Sequence, residues 1–270
     1  MTSDFGERAA VAAAPPDDIF GDVGRRRVVR YRDRYLLDLQ GYLIVPDALS
    51  PESVGELNEV VDEMVVRDMD SETTRRWFSL LGRSRCFRDL IDNPPVLPVL
   101  EELLGDEFRL DHEYLDLIRS GMGPIGAGLH GGAAPFRPAE YYWTGDGQLH
   151  SGLVVVAYNL KDVDPEDGGF ACVPGSHKAA FAFPDHWKDL TNLHPCVQRV
   201  GGLAGSAVVF TEALTHGTLP WQGSDDRRTL FYKYSPRPLA WSKSYYDPDD
   251  YPELTARQRE ILAPPGIEHV

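Results

Sequence analysis

The apolar pattern of this chain changes period near Gly105. Before that point apolar residues recur at helical spacing. Val54, Leu57, Val60, Val61, Met64 and Val65 follow Ser50, a good N-cap, with Pro51 at the first helical position and Glu52 in the first turn. This predicts an amphipathic helix over 50–68. Pro94 and Pro95 open a second helical stretch that runs to Leu104 and ends at Gly105. After Gly105 the apolar residues come in short runs. Residues 108–119, 153–160, 207–210 and 229–234 read as strands, the β-branched run 153–160 most clearly. A further short strand is expected over 42–46. The glycine-rich segment 121–132 reads as a loop and 164–169 as a turn. Residues 1–24 mix Ala, Pro, Asp and Gly without periodicity, which predicts a loosely ordered arm ending as a strand near 27–31. No internal repeat or linker breaks the chain. The reading is a single domain over 1–270, α+β, with helices first and then a barrel or sandwich of short strands.

Charge and composition exclude some functions. There are 42 acidic residues against 27 basic ones, a formal net charge of −15. Such a chain lacks the cation surplus that binding a nucleic-acid polymer requires. A local arginine cluster can still hold a small anion. No apolar run approaches the ~18 residues of a membrane span. The opening MTSDFGERAAVAAAPPDD has no basic segment followed by an apolar one, so a secretory leader is not expected. Cys86, Cys172 and Cys196 form no CxxC pair and read as buried thiols of a cytoplasmic protein.

Two of the eight histidines have informative neighbours. His130 lies in Gly128-Leu129-His130-Gly131-Gly132, a loop between expected strands. His216 follows the apolar run Val208-Val209-Phe210, and Arg227 and Arg228 come eleven and twelve residues later at the start of another strand. Between the two histidines lies Gly168-Gly169-Phe170-Ala171-Cys172-Val173-Pro174-Gly175-Ser176-His177-Lys178.

This last segment resembles the signature turn of the phytanoyl-CoA dioxygenase family, non-haem iron(II), 2-oxoglutarate-dependent oxygenases. Gly41-Tyr42-Leu43-Ile44 is similar to the family's opening. The order of first histidine, long strand, signature turn, second histidine and arginine matches over about 110 residues. The resemblance implies a double-stranded β-helix (jelly-roll, cupin-like) core with flanking N-terminal helices. It implies His130 and His216 as iron ligands, and molecular oxygen and 2-oxoglutarate as co-substrates. Arg227 would clamp the far carboxylate of 2-oxoglutarate, with Arg228 the alternate if the strand phase is shifted. Thr218 would add a hydroxyl there. His177 would belong to a structural turn and not to the metal set.

One departure matters. The family pattern places Asp or Glu two residues after the first histidine, completing a two-histidine, one-carboxylate triad. Here that position is Gly132. In related enzymes Ala or Gly there marks halogenases, because the vacancy admits chloride. The leading expectation is therefore a chloride-using halogenase with the halide at Gly132. A hydroxylase remains open if a more distant acid, Glu140, Asp146 or Glu212, restores the carboxylate. Glu212, four residues before His216, is the best placed of these. A non-catalytic binding protein on the same fold is the third reading. His150 is a weaker candidate for the first ligand.

The sequence says less about the substrate. Phe136, Arg137, Tyr141 and Trp221 are candidate contacts, as is the cluster Arg83, Arg85 and Arg88. A small anionic metabolite is expected. Nucleotides such as a deoxyadenosine monophosphate are one class the resemblance implies, in specialised (antibiotic-type) metabolism. The sequence gives no indication of oligomeric state.

Overall fold

The computed structural model describes residues 29–70, 74–122, 125, 128–145 and 147–267. The arm at 1–24 and Asp146 lie outside these residues. Residues 27 and 28 of the strand expected near 27–31 lie outside them too; residues 29 and 30 belong to no strand, and Tyr31 begins a helix. In chain order the elements are α1 (Tyr31–Gln40), β1 (Tyr42–Val45), α2 (Pro51–Asp68), β2 (Arg75–Phe78), α3 (Arg85–Arg88), α4 (Leu97–Leu104), β3 (Phe108–Ile118), β4 (Tyr142–Gly145), β5 (Gln148–Ser151), β6 (Val154–Asn159), β7 (Gly169–Val173), β8 (Gln198–Arg199), β9 (Ala207–Thr211), β10 (Thr215–Leu219), β11 (Arg227–Pro236) and α5 (Ala256–Leu262).

Local chemistry explains the helix ends. The Ser50 hydroxyl accepts from the Ser53 amide at 3.1 Å, and α2 buries Leu57, Val61 and Met64 along one stripe. Helix α4 begins at Leu97, later than the prolines suggest. Asn93 carbonyl accepts from Val96 and Leu97 in a preceding turn that the donor-less Pro94 and Pro95 cannot support. Helix α1 was not expected, because it buries only Leu37 and so carries little apolar periodicity.

The strands form an antiparallel six-stranded sheet in the order β1-β9-β6-β11-β3-β2, a three-stranded sheet β10-β7-β8, and the hairpin β4-β5. This is a double-stranded β-helix with helices on one side. The six-stranded sheet is buried on both faces. Val154, Val156, Tyr158, Val209, Leu230, Tyr232 and Tyr234 pack with residues of the helices. Their alternates, Val155, Ala157, Val208, Phe210 and Phe231, pack with Phe170 and Cys172 of β7. Double burial is why 153–160 reads as a continuous apolar run and not an alternating one. Each large apolar side chain so buried contributes on the order of 1.5–3 kcal/mol.

The three cysteines are free. Cys86 and Cys172 are buried, but Cys196 is only half-buried. Arg83, Arg85 and Arg88 do not gather into an anion site. Arg83 faces Asp68, Arg85 faces Asp89 and Glu253, and Arg88 donates to the Leu81 carbonyl. Among the described residues no helix is long and apolar enough to cross a membrane.

Candidate active site

The two sheets enclose a cavity of about 150 Å³ near the ends of β7, β10 and β11. His130 and His216 face each other across it. Their backbones form a two-way bridge, each amide donating to the other carbonyl at 2.8 Å, and their rings lie 4.3 Å apart. Each ring turns its Nδ1 to a backbone carbonyl two residues before it. His130 Nδ1 meets the Gly128 carbonyl at 3.0 Å and His216 Nδ1 meets the Leu214 carbonyl at 2.7 Å. A carbonyl only accepts, so each Nδ1 donates a proton and Nε2 is the nitrogen left to meet a metal. Burial pushes His216 down to about 4, so at neutral pH it is an uncharged imidazole.

The third group at this point is Glu212. His130, Glu212 and His216 offer ligand atoms that all lie within 4.8 Å of one another, and Glu212 Oε2 is 3.8 Å from His216 Nε2. Two imidazoles and one carboxylate are the donor set that suits iron(II). Gly132 offers no donor of its own, and the carboxylate that lies beside the two histidines is that of Glu212. The turn between β9 and β10 folds the residue four before His216 back beside its ring. Burial alone would raise the Glu212 carboxyl. Lys233 and His216 outweigh it and bring it to about 2, so it is a carboxylate. The Lys233 ammonium touches its other oxygen, Oε1.

Gly132 is buried and has φ +93°. A Cβ there would stand 2.9 Å from Thr215 Oγ1. The backbone at this position suits glycine and strains any larger residue.

Arg227 lies in the same cavity. It is buried, and its Nε and Nη1 have no hydrogen-bond partner among the described residues. Buried guanidinium donors of this kind are satisfied by a planar carboxylate. Burial pushes Arg227 down to about 10, with Asp116 opposing, so it remains a cation at neutral pH. Gly169 makes room for it: a Cβ at Gly169 would stand 3.1 Å from Arg227 Nε. Phe170, next in the signature turn, lines the cavity, as does Thr218, two residues beyond His216 on β10. Arg228 points to the other face and is paired with Asp62, Asp226 and Asn58.

The rest of the signature turn is scaffolding. Ser176 Oγ accepts from the Thr215 amide at 2.7 Å, and its carbonyl accepts from Ala133. One residue thus ties down both histidine-bearing segments. His177 is buried, contacts the Asp38 carbonyl through Nε2 at 3.0 Å and sits edge-on to Tyr142.

Several expected contacts lie elsewhere. Trp221 is buried with Ile118 and Val163 and donates to the Asp225 carbonyl. Arg137 pairs with Glu140 at 2.8 Å, and Glu140 is not part of the His130, Glu212 and His216 group. Phe136 is exposed, Tyr141 is half-buried outside the cavity, and His150 stacks on Trp143. Residues not singled out from sequence do line the cavity: Arg76, Tyr114, Asp116, Phe231 and Lys233. Arg227, Phe231 and Lys233 alternate along β11, so period-two spacing could have found Lys233. Arg76 and Asp116 meet only through the β2–β3 register, which no local pattern announces.

Residues 37–229 match the protein-family model described as phytanoyl-CoA dioxygenase. Among curated proteins, the ectoine dioxygenase of Nocardia farcinica is 25% identical over 221 residues, covering 67% of this chain and 69% of the relative. That of Streptomyces coelicolor is 23% identical over 183 residues, covering 63% and 59%. Among solved structures, HygX from Streptomyces hygroscopicus with nickel and 2-oxoglutarate bound superposes with a TM-score of 0.73 at 23% identity, over 86% of this chain and 94% of HygX. The 2-oxoglutarate-dependent epimerase SnoN from nogalamycin biosynthesis gives a TM-score of 0.56 at 21% identity, over 77% and 83%. These likenesses establish the shared fold.

Proposed function

The chain belongs to the phytanoyl-CoA dioxygenase family of iron(II)- and 2-oxoglutarate-dependent oxygenases, and from that premise we propose that it oxidises a C–H bond of a small metabolite, with His130, Glu212 and His216 as the metal-binding set. The observation that carries this reading is the convergence of two Nδ1-protonated imidazoles and one carboxylate on a single point. Bound there, iron(II) with molecular oxygen would supply the oxidising chemistry.

The chain's own residues do the rest. His130 and His216 present lone pairs at Nε2, held in place by backbone carbonyls. Glu212 supplies the negative charge that Gly132 cannot. Arg227 offers Nε and Nη1 to the far carboxylate of 2-oxoglutarate, and Thr218 lies on the same wall. Phe170, Phe210 and Phe231 give the cavity apolar walls that limit water near the reacting groups. HygX binds 2-oxoglutarate, and a structure of it also holds hygromycin B; this supports a small-molecule substrate here too.

Glu212 supports oxygenation over halogenation, because as a metal ligand it would fill the place that a halogenase leaves to chloride. The halogenase reading keeps one observation in its favour: Glu212 is shared with Lys233. One titration separates the two. Protein loaded anaerobically with iron(II) and 2-oxoglutarate should develop a visible charge-transfer band that is absent from His216→Ala and Arg227→Ala. If Glu212→Gln weakens iron binding and chloride leaves the wild-type band unchanged, the oxygenase reading stands. A saturable chloride shift that does not require Glu212, followed by chlorinated product, would replace it with halogenation. Absence of any band would favour a binding protein.

A further inference from the structure

Among the described residues, the cavity holds one more cation than a metal, a triad and 2-oxoglutarate call for. Arg76 grips Asp116 through Nε and Nη2, both at 2.6 Å, and that pair is neutral. Lys233 and Glu212 form a second neutral pair, and Arg227 stands alone. A dication would raise the charge by two and a dianionic co-substrate would lower it by two. One positive charge is then left uncompensated in a site lined by Phe170, Phe210 and Phe231, where an unpaired charge is costly.

Lys233 is where that charge becomes available. Its side chain is 13% exposed, its ammonium lies 5.7 Å from the centre of the Tyr114 ring, and its carboxylate partner is Glu212. That partner is the metal-site acid, so Lys233 and a cation compete for the same carboxylate. Arg76 cannot relieve Lys233, being a like charge already committed to Asp116. We propose that Lys233 makes this an anion-accepting metal site: when Glu212 turns to the cation, the Lys233 ammonium holds a further monoanion beside it, either a carboxylate of the substrate or a halide. This rests on the metal reading above. It gives the substrate a class, a small molecule whose anionic group sits close to the carbon to be oxidised.

The test uses cobalt(II), which reports its ligands through visible absorption. Full-length protein with cobalt(II) and 2-oxoglutarate is titrated with sodium acetate and, separately, sodium chloride at constant ionic strength, alongside K233M and K233R. Wild type should show a saturable spectral change. K233M should bind the anion at least about tenfold more weakly, the loss of one charge-assisted hydrogen bond. It should bind cobalt(II) as tightly as wild type or more so, because a like charge has gone. K233R should remain within a few-fold of wild type in both. Saturation by acetate points to a substrate carboxylate, and saturation by chloride alone to a halide. No anion effect in wild type, or an unchanged effect in K233M, overturns the proposal while leaving the metal reading intact. Loss of cobalt(II) binding in K233M reduces Lys233 to a structural prop and also overturns it. If K233M does not fold, K233R and the wild-type titration decide alone. Failure of wild type to take up cobalt(II) overturns the metal reading, and this inference with it.

Discussion

Arg227 and Arg228 are adjacent in sequence and serve opposite faces of one strand. Arg227 points between the sheets with two donors unpartnered. Arg228 points to the helix side, where Nη2 meets Asp62 at 2.7 Å and Nη1 meets Asn58 Oδ1 at 3.1 Å. Strand alternation makes one residue a candidate ligand clamp and the next a tie between β11 and α2.

The two arginines should therefore fail differently. Arg227→Ala is expected to weaken 2-oxoglutarate binding by about ten- to a hundredfold, because a carboxylate loses its charge-assisted partner. It should leave the melting temperature unchanged or raise it, since an unpaired buried charge is removed. Arg228→Ala should cost about 1–3 kcal/mol of stability and bind 2-oxoglutarate nearly as wild type does. Calorimetric titration and thermal melts of both variants check this. A binding defect confined to Arg228→Ala would reverse the assignment.

The metal carboxylate gives a second prediction. Glu212→Gln should weaken cobalt(II) binding at least about tenfold, by removing the only anionic donor of the set. Gly132→Asp should not restore it in that background. The φ of +93° and the 2.9 Å approach to Thr215 Oγ1 make an aspartate there strained. Gly132→Asp alone should cost about 1–3 kcal/mol of stability. Full recovery of cobalt(II) affinity in the double variant would mean that the loop accepts a carboxylate after all.

How much of this was legible in the sequence depends on how far apart the partners are. His130, His216 and Arg227 each sit in a short pattern of glycines and strand residues, and that pattern singles them out. The signature turn was legible as a turn, but its purpose was not. Only the fold shows that Gly169 clears space for Arg227 and that Ser176 holds the amide before His216. Glu212 was one of three candidate acids because its reach depends on how the chain turns between β9 and β10. Arg76 opposes Asp116 only through strand register, across 40 residues. Helix α1 escaped notice because one buried leucine leaves no stripe to read.

A third prediction concerns pH and lies away from the site. Glu113 on β3 is buried and accepts from the amides of Leu80 and Leu81 at 2.9 and 3.4 Å. Burial outweighs those bonds and pushes its carboxyl up to about 7. The folded state thus holds this proton more tightly than the unfolded chain, whose value is near 4.5. The stabilisation is complete below about 4.5 and declines as pH rises towards about 7. Its size is on the order of 3 kcal/mol. Glu113→Gln should remove this decline, so that the variant gains on wild type between pH 5 and about 8 in chemical denaturation. A constant difference between the two across that range would contradict the assignment.

The signature-turn histidine supplies the last prediction. His177 and His216 are both buried imidazoles whose pKa burial lowers to about 4, and by that measure they look alike. Their surroundings differ. His216 Nε2 opens towards Glu212 and His130, whereas His177 Nε2 is taken by the Asp38 carbonyl at 3.0 Å and its ring is packed against Tyr142. His177→Ala should therefore lower stability by about 2–4 kcal/mol, from lost packing and an unsatisfied carbonyl. The fraction that remains folded should bind cobalt(II) with near wild-type affinity. His216→Ala should do the reverse, keeping most of its stability and losing most of its metal affinity. Thermal melts paired with cobalt(II) titrations at a temperature where both variants are folded separate the two. Loss of metal binding in His177→Ala under those conditions would move this histidine into the site.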